Sequence, residues 1–541
     1  MKRLLSLSIL TASSLLAVSP NVDAIQNSIS TPKIVEDKNQ ENKNELIEIA
    51  GKKSYAPMMV DDKSGKKLYV KEFLIEGNEH VNSNELQDLI KDFKDKELSF
   101  SELQNLASIV TKEYREKGYF VARAYLPKQN LQENNDVLKI SVIEGTYGEF
   151  KLENNSNVKD FLVQSMLNDA KARDNVVSTD TLERSMLIIN DTPGAKVTQA
   201  DVKPGSEIGS SDFLIKTEKT PLYDGYVVAD NHGSKYTGKN RVMAGVNLNS
   251  PLKLGDKLSL SGLVSNGNDI ENYKTGYDFP LMANGLRGQI NYSKTNYDLV
   301  KLGQTTPDGI YDGYTKTYEA GITYPIIRTR LENLNFSSVY SNKELKDYYD
   351  EAVSKDREIN SVKIGLDYTK NHNLFGFDSV SKIESSYTLG KLNIKDEQSK
   401  NNDKNGVNTQ DTYSKVNLNF GNEMQFNPIY SLNANVKTQY ALKNKNLDGS
   451  EDFTLGGSEG VKVFSDGEQS VENAMVLNLE TFAQLPNVSN LNHKIGLFYD
   501  LGSGYMSNNE KDLEFERRTL QDVGVGYYTN YKNAFTKLQV A

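Results

Sequence analysis

Between Arg241 and Ser265 apolar and polar side chains alternate with a period of two. Val242, Ala244, Val246 and Leu248 fall on one side, with Arg241, Gly245 and Asn247 on the other; after the turn SPLKLGD, Leu258, Leu260 and Val264 oppose Lys257, Ser259 and Ser261. Two strands joined by a tight turn are predicted, each with one oily and one wet face. The pattern continues from about Tyr223 onward, best in VKIGLDY (Val362, Ile364, Leu366, Tyr368), KVNLNF (Val416, Leu418, Phe420) and LNANVKTQY (Leu432, Ala434, Val436, Tyr440). Candidate strands fall at 225–231, 241–248, 257–265, 271–280, 286–297, 314–325, 331–342, 361–370, 379–389, 412–423, 430–442, 475–485, 493–505, 520–529 and 535–541, fifteen in all, and no helical periodicity interrupts them.

Lys, Asn, Gln, Asp and Gly fill the second face of these strands. Packed into a sandwich core they would cost kcal/mol for each unpaired amide or charge, whereas a wet lumen accommodates them. Connections alternate between long polar stretches (298–313, 343–360, 390–411, 443–474) and short turns (MANG at 282–285, FNPI at 426–429). A transmembrane barrel predicts that alternation and a sandwich does not. The oily faces are therefore expected to meet lipid, with tyrosine supplying the interfacial girdles in a chain that has no tryptophan.

The preceding segment has another rhythm. KLYVKEFLIEGN (67–78) reads as a strand, followed by a helix with Leu86, Leu89, Ile90 and Phe93 on one face and Asn82 with Glu85 at capping-box spacing. A second helix, begun by Ser99 and Glu102, carries Leu103, Leu106, Ala107, Val110 and Tyr114; YFVARAYLP and DVLKISVIEG close the unit as strands. The order strand, helix, helix, strand, strand then repeats: GEFKLEN, a helix with Phe161, Leu162 and Met166, a helix with Leu182, Met186 and Ile189 begun by Asp180 and Glu183, then AKVTQADV and DFLIKTE. Each unit, at about 75 residues, is long enough to hold its own core.

At the N-terminus, Lys2 and Arg3 precede an apolar run from Leu4 to Val18, and Val22 and Ala24 form a small-residue cleavage pattern. This reads as a secretory signal, residues 1–24, cut after Ala24. Residues 25–66 are polar and rich in Lys, Glu and Asn, a linker with one helical patch around KNELIEIA. The net charge of −10 argues against a nucleic-acid partner, and the absence of cysteine excludes disulfides, thiolate metal sites and a cysteine nucleophile. His80, His232, His372 and His493 lie far apart in sequence and read as ordinary surface or turn residues, so neither a metal nor a cofactor is expected. GGSEG and LGSGY are glycine-serine turns without the GxSxG elbow, which argues against a hydrolase.

Two such modules followed by a barrel resemble the two-partner-secretion outer-membrane translocators, the haemolysin and haemagglutinin exporter family of the barrel-insertase superfamily. The resemblance is carried by the stretches IINDTPGAKVTQADVKPG, DNHGSKYTG, GDKLSLS and YKTGYDFPL. It implies an α+β part, two tandem polypeptide-transport-associated (POTRA) domains at 67–145 and 146–222 in the periplasm, and then an all-β part, a 16-stranded antiparallel transmembrane β-barrel at 223–541 in the bacterial outer membrane. The implied function is export of a large secreted haemolysin- or adhesin-type client, with no enzyme activity and with the client's folding outside as the drive; an outer-membrane barrel-assembly insertase is the alternative. Outer-membrane lipid, the barrel-assembly machinery for insertion and a monomeric state are implied alongside. Residues 25–66 occupy the place of the family's pore-plugging helix.

Two sites follow from the resemblance. FTLGGSEGVKVFSDGE (453–468), with Gly456 and Gly457, stands where the family has a lumen-inserted loop; the family's valine-arginine-glycine-aromatic tip is matched by Val461 and Phe464, with Lys462 in place of arginine and Val463 in place of glycine. Its implied partner is the Phe-x-Asp pattern of Phe498 and Asp500. Alternation independently places these two inward, because Ile495, Leu497, Tyr499 and Leu501 form the apolar face. Lysine is a point charge without arginine's fork, so a looser latch is expected. The second site is a client-binding strand in the first module, Phe120, Val121, Ala122, Arg123, Ala124, Tyr125 and Leu126, capturing unfolded polypeptide by strand addition; a fully paired inner strand is the competing reading. Fifteen strands is an odd number, and the chain's end, FTKLQVA, stops inside a strand, so a sixteenth strand within roughly 20 to 30 further residues is expected.

Overall fold

The structure is a computed structural model and describes residues 50–51, 67–234, 237–266, 269–299, 311–488, 491–507 and 517–541. The signal segment and the helical patch KNELIEIA lie outside the described residues, except that Ala50 belongs to a short strand, β1 (Ala50–Gly51).

In the first module the chain runs β2 (Leu68–Val70), β3 (Glu72–Glu76), α1 (Ser83–Ile90), β4 (Lys96–Leu98), α2 (Phe100–Glu116), β5 (Arg123–Tyr125) and β6 (Val137–Ile143). The expected first strand is broken at Lys71, and its β2 half pairs with β4, a strand that the pattern did not predict. Ser99 and Glu102 form the expected reciprocal capping box, whereas Asn82 caps α1 alone by accepting the Asn84 N–H. The alternating faces of β3 and β6 meet the heptad-like stripe of α2, so that Phe73, Leu103, Leu106, Val110, Tyr114, Leu138 and Ile140 form one buried core. The predicted strand Phe120–Leu126 is shorter than expected: Arg123–Tyr125 alone pair, at the edge of a sheet ordered β3-β6-β5.

The second module comprises β7 (Thr146–Asn155), α3 (Asp160–Arg173), α4 (Thr179–Asp191), β8 (Lys196–Pro204) and β9 (Ser210–Glu218). Ser178, rather than Asp180, caps α4 by accepting the Thr181 N–H. The sheet order is β1-β8-β9-β7, with β1 lying parallel to β8 on its outer edge.

The remaining strands form one sheet of fifteen, each hydrogen-bonded to its neighbours in chain order and antiparallel: β10 (Tyr223–Asp230), β11 (Arg241–Asn249), β12 (Lys257–Ser265), β13 (Ile270–Pro280), β14 (Arg287–Leu299), β15 (Tyr311–Arg328), β16 (Glu332–Tyr349), β17 (Ala352–Leu374), β18 (Phe377–Ile394), β19 (Asp411–Gln425), β20 (Tyr430–Ala441), β23 (Asn473–Gln484), β24 (Leu491–Tyr505), β25 (Arg518–Tyr531) and β26 (Ala534–Val540). Two short strands, β21 (Phe453–Thr454) and β22 (Ser470–Val471), pair with each other in the loop between β20 and β23. The oily face of the opening stretch points outward: Val242, Val246, Leu248, Leu260 and Val264 are all exposed, while Arg241, Met243 and Leu263 are buried inside. Val362, Ile364, Leu366, Val416, Leu418 and Phe420 repeat this on other strands.

Two expected loops are corrected. Residues 343–360 are two tall strands joined at Asp350 and Glu351, which take positive φ. In β16 and β17, of 18 and 23 residues, the upper rungs extend beyond the roughly ten residues a tilted strand needs to cross hydrocarbon, so polar residues there still form a ladder. Cross-strand ion pairs such as Lys346 with Asp356 (3.0 Å) support it. In 390–411, β18 runs on to Ile394 and a helix, α5 (Glu397–Asn405), follows, capped by Asp396.

Candidate functional site

The β20–β23 connection folds inward, and its two limbs are held differently. The first limb carries Asp448, Ser450 and Glu451, all buried among wall cations. Arg357 donates to Asp448 at 2.6 Å and to Asp347 at 2.7 Å, and Glu451 receives Lys343 at 2.7 Å and Lys415 at 2.9 Å. Burial by itself would raise both loop carboxyls, but Arg357 holds Asp448, and Lys343 with Lys415 holds Glu451, below the usual carboxylate range. Glu472 closes the loop's base, accepting the Leu447 and Ser507 N–H groups at 2.7 and 2.6 Å.

The tip is a compact turn. The Val461 N–H donates to the Leu455 carbonyl at 2.9 Å, and the Phe464 N–H to the Val461 carbonyl at 3.2 Å. Gly456 has no room for a side chain, since a Cβ there would lie 2.8 Å from the Phe464 Cβ; Gly457 has φ +115° and packs against the Asp466 carboxylate. Val461 is fully buried and Val463 exposed. Lys462 Nζ lies 2.8 and 2.9 Å from the two oxygens of Asp500 and 4.8 Å from the centre of the Phe498 ring. Asp500 is completely buried and also accepts from Asn478 Nδ2 at 2.7 Å, which in turn holds the Gly460 carbonyl. One lysine thus contacts both carboxylate oxygens, with an aromatic face beside it, in place of the fork an arginine would offer.

Sequence reasoning missed the residues around this pair. Asp522 stands opposite Asp500 in the β24–β25 register and accepts the Val463 N–H at 2.7 Å. Its signal was present: Val523 and Val525 face outward, so alternation turns Asp522 in. Nothing local in sequence marks the charges that hold the first limb, because Lys343 and Glu451 are 108 residues apart.

Of the expected client-binding residues, Ala122, Ala124 and Leu126 are buried in the first module's core, while Val121 belongs to the second module's core, against which Phe120 packs. Arg123 and Tyr125 are half-buried. The β5 edge is itself covered, since the Ala124 N–H donates to Thr111 Oγ1 of α2 at 2.9 Å.

Where the modules meet, His80 bonds Glu144 through Nδ1 at 2.6 Å and faces Asp174 of the second module through Nε2 at 3.2 Å. The hydrogen bond to Glu144 raises the His80 pKa, and Asp174 and Glu79 act in the same direction against partial burial. The second module docks on the short-turn end of the sheet. Arg328 reaches Asp191 through Nε at 2.7 Å and Nη2 at 2.9 Å, and Arg184 donates to the Pro325 and Asn284 carbonyls. The short turns therefore share one side with the modules, and the inward-folding loop descends from the other.

The sequence profile of the haemolysin secretion/activation protein family ShlB/FhaC/HecB matches residues 209–527. The chain belongs to this family. A ShlB-type POTRA domain profile matches residues 68–145. The heme/hemopexin transporter protein HuxB of Haemophilus influenzae (strain 86-028NP) is 29% identical over 459 residues, covering 84% of this chain and 79% of that protein. CdiB from Escherichia coli superposes with a TM-score of 0.74 over 97% of this chain and 96% of its own at 20% identity, and CdiB from Acinetobacter baumannii with 0.62 over 96% and 95% at 16%. Like its family, the protein is an outer-membrane translocator of two-partner secretion, with periplasmic POTRA modules and a β-barrel that exports a secreted partner protein. The short-turn side of the barrel, where the second module docks, is accordingly periplasmic, and the insertase alternative falls away.

Proposed function

We propose that the loop tip is a charge-held latch and that the POTRA modules, residues 67–145 and 146–222, capture a large unfolded client of the haemolysin or adhesin class. The observation that carries the latch is the buried Lys462–Asp500 pair, to which the tip's shape is fitted by Gly456, Gly457 and Val461. Removing one partner leaves the other charge buried, at roughly 2–5 kcal/mol, enough to displace the tip from the wall.

Capture by strand addition is better supported at β8 than at Phe120–Leu126. The outer edge of β8 already takes an extended segment, with Ala50 opposite Asp201 and Gly51 opposite Val202. The linker thus occupies the edge a client would use, and a client would displace it.

Lys462→Ala and Asp500→Ala are expected to reduce export while the barrel still assembles and stays heat-modifiable. Lys462→Arg should retain export, because a guanidinium can span Asp500 and its register neighbour Asp522. Wild-type secretion by both alanine variants would remove the latch.

A further inference from the structure

We propose that Asp466 is a positioning residue that pins the lumen loop to the first hairpin of the barrel, making the loop a tie between opposite ends of the fifteen-strand order. This rests on the latch reading and extends it. Four residues beyond Lys462, the Asp466 carboxylate accepts from Arg241 Nη1 at 2.8 Å, and its N–H donates to the His232 carbonyl at 3.3 Å. Arg241 starts β11 and is buried; its Nε and Nη2 hold Asp230 of β10 at 2.9 and 3.2 Å. Asp230 in turn accepts the His232 N–H at 2.9 Å, so wall and loop share one charge cluster. The second Asp466 oxygen accepts the Ser458 N–H at 3.0 Å, which couples this anchor to the glycine turn carrying the latch.

The placement explains three residue choices. The guanidinium holds Asp230 through Nε and Nη2 and Asp466 through Nη1, a spread over three nitrogens that the single nitrogen of a lysine ammonium does not offer. Gly457 is required because a Cβ there would sit 2.3 Å from the Asp466 carboxylate. A carboxylate at 466 both caps the turn and meets the wall. The tip is therefore gripped by β24 and β25, thirteenth and fourteenth in the sheet, through Asp500 and Asp522, and by β10 and β11, first and second, through Arg241 and the Asp230 cluster. Release of either grip loosens the tip and admits more ions, and full clearing of the lumen requires both to open.

The test is single-channel conductance of the full chain in planar lipid bilayers with KCl, for Asp466→Asn, Arg241→Gln and the double variant, each first confirmed as a heat-modifiable barrel. Each single substitution should raise mean conductance several-fold, and the double variant should match Arg241→Gln, since the Arg241–Asp466 pair is already lost there and Asp466→Asn has no further ion pair to remove. Adding Lys462→Ala to Asp466→Asn should raise it further, because that releases the other grip. Conductance unchanged by Asp466→Asn, or effects of Arg241→Gln and Asp466→Asn that multiply independently, would overturn the proposal. As the native chain has no cysteine, His232→Cys with Asp466→Cys tests the contact alone: oxidation should return conductance to the wild-type level and reduction raise it. Failure of this pair to cross-link counts against the pin. If Asp466→Asn acts as stated but Lys462→Ala does nothing, the latch reading fails and the pin survives.

Discussion

The two periplasmic modules share an order of elements but are attached by different chemistry. The second is joined to the barrel through arginines: Arg184, which is 5% exposed, and Arg328, which grips Asp191 with two nitrogens. Arg330 adds a contact to Glu183 at 3.3 Å, and the Arg184 guanidinium lies 5.8 Å from the Tyr324 ring centre. Between the first and second modules, the charged contact is a histidine between two carboxylates, with Val121 and the Thr179 N–H to Gly118 carbonyl bond beside it. Arginine stays charged at any physiological pH, whereas histidine titrates within it. The comparison teaches that the inner joint is built to hold and the outer one to respond.

The largest expected effect is at the inner joint. Arg328→Ala leaves Asp191 unpaired, and because Asp191 is 30% exposed the cost should fall near the lower end of roughly 2–5 kcal/mol. Spin labels on cysteines placed at Asn168 and in the barrel should report a broadened distance distribution, and an unchanged one would show that the joint does not depend on this pair. Gly285→Val should act similarly but more weakly, at roughly 1–3 kcal/mol, because Gly285 has φ +93° and its added Cβ would meet the Pro325 Cγ at 2.8 Å and Ile188 beyond it.

The smallest effect concerns His80. Its pKa is raised in the folded state by Glu144, then by Asp174 and Glu79, so the protonated ring is the form the joint favours. Its contribution is complete below the ordinary histidine value near 6.5 and disappears as pH climbs through the higher folded value. Labels at Ser101 and Asn168 should therefore show the modules loosening as pH rises across that window, and His80→Gln should flatten the response. A His80→Gln protein that kept the wild-type pH profile would assign the response to another group.

Much of this is legible in the sequence where structure is periodic. All fifteen barrel strands were located by alternation, because an outward side chain must be apolar in lipid and its neighbour must face the lumen. The stripe on α2 and its capping box were equally local. Polarity does not by itself mean loop: above the membrane a strand needs no apolar face, so the hairpin of β16 and β17 is polar yet regular. The strand expected at Phe120–Leu126 shortens to Arg123–Tyr125 for the opposite reason, since an apolar run does not reveal where it leaves a strand to be divided between two cores.

Periodicity alone places the long helices of the modules, the barrel strands, the lipid-facing residues and the inward direction of Phe498 and Asp500, because each follows from the two-residue period of a strand or the three-to-four-residue period of a helix. Tertiary structure alone decided which charges meet. Lys343 with Glu451, Arg241 with Asp466 and His80 with Asp174 are brought together by sheet curvature, loop descent and module docking, and long-range Coulomb partners leave no periodic trace in the chain.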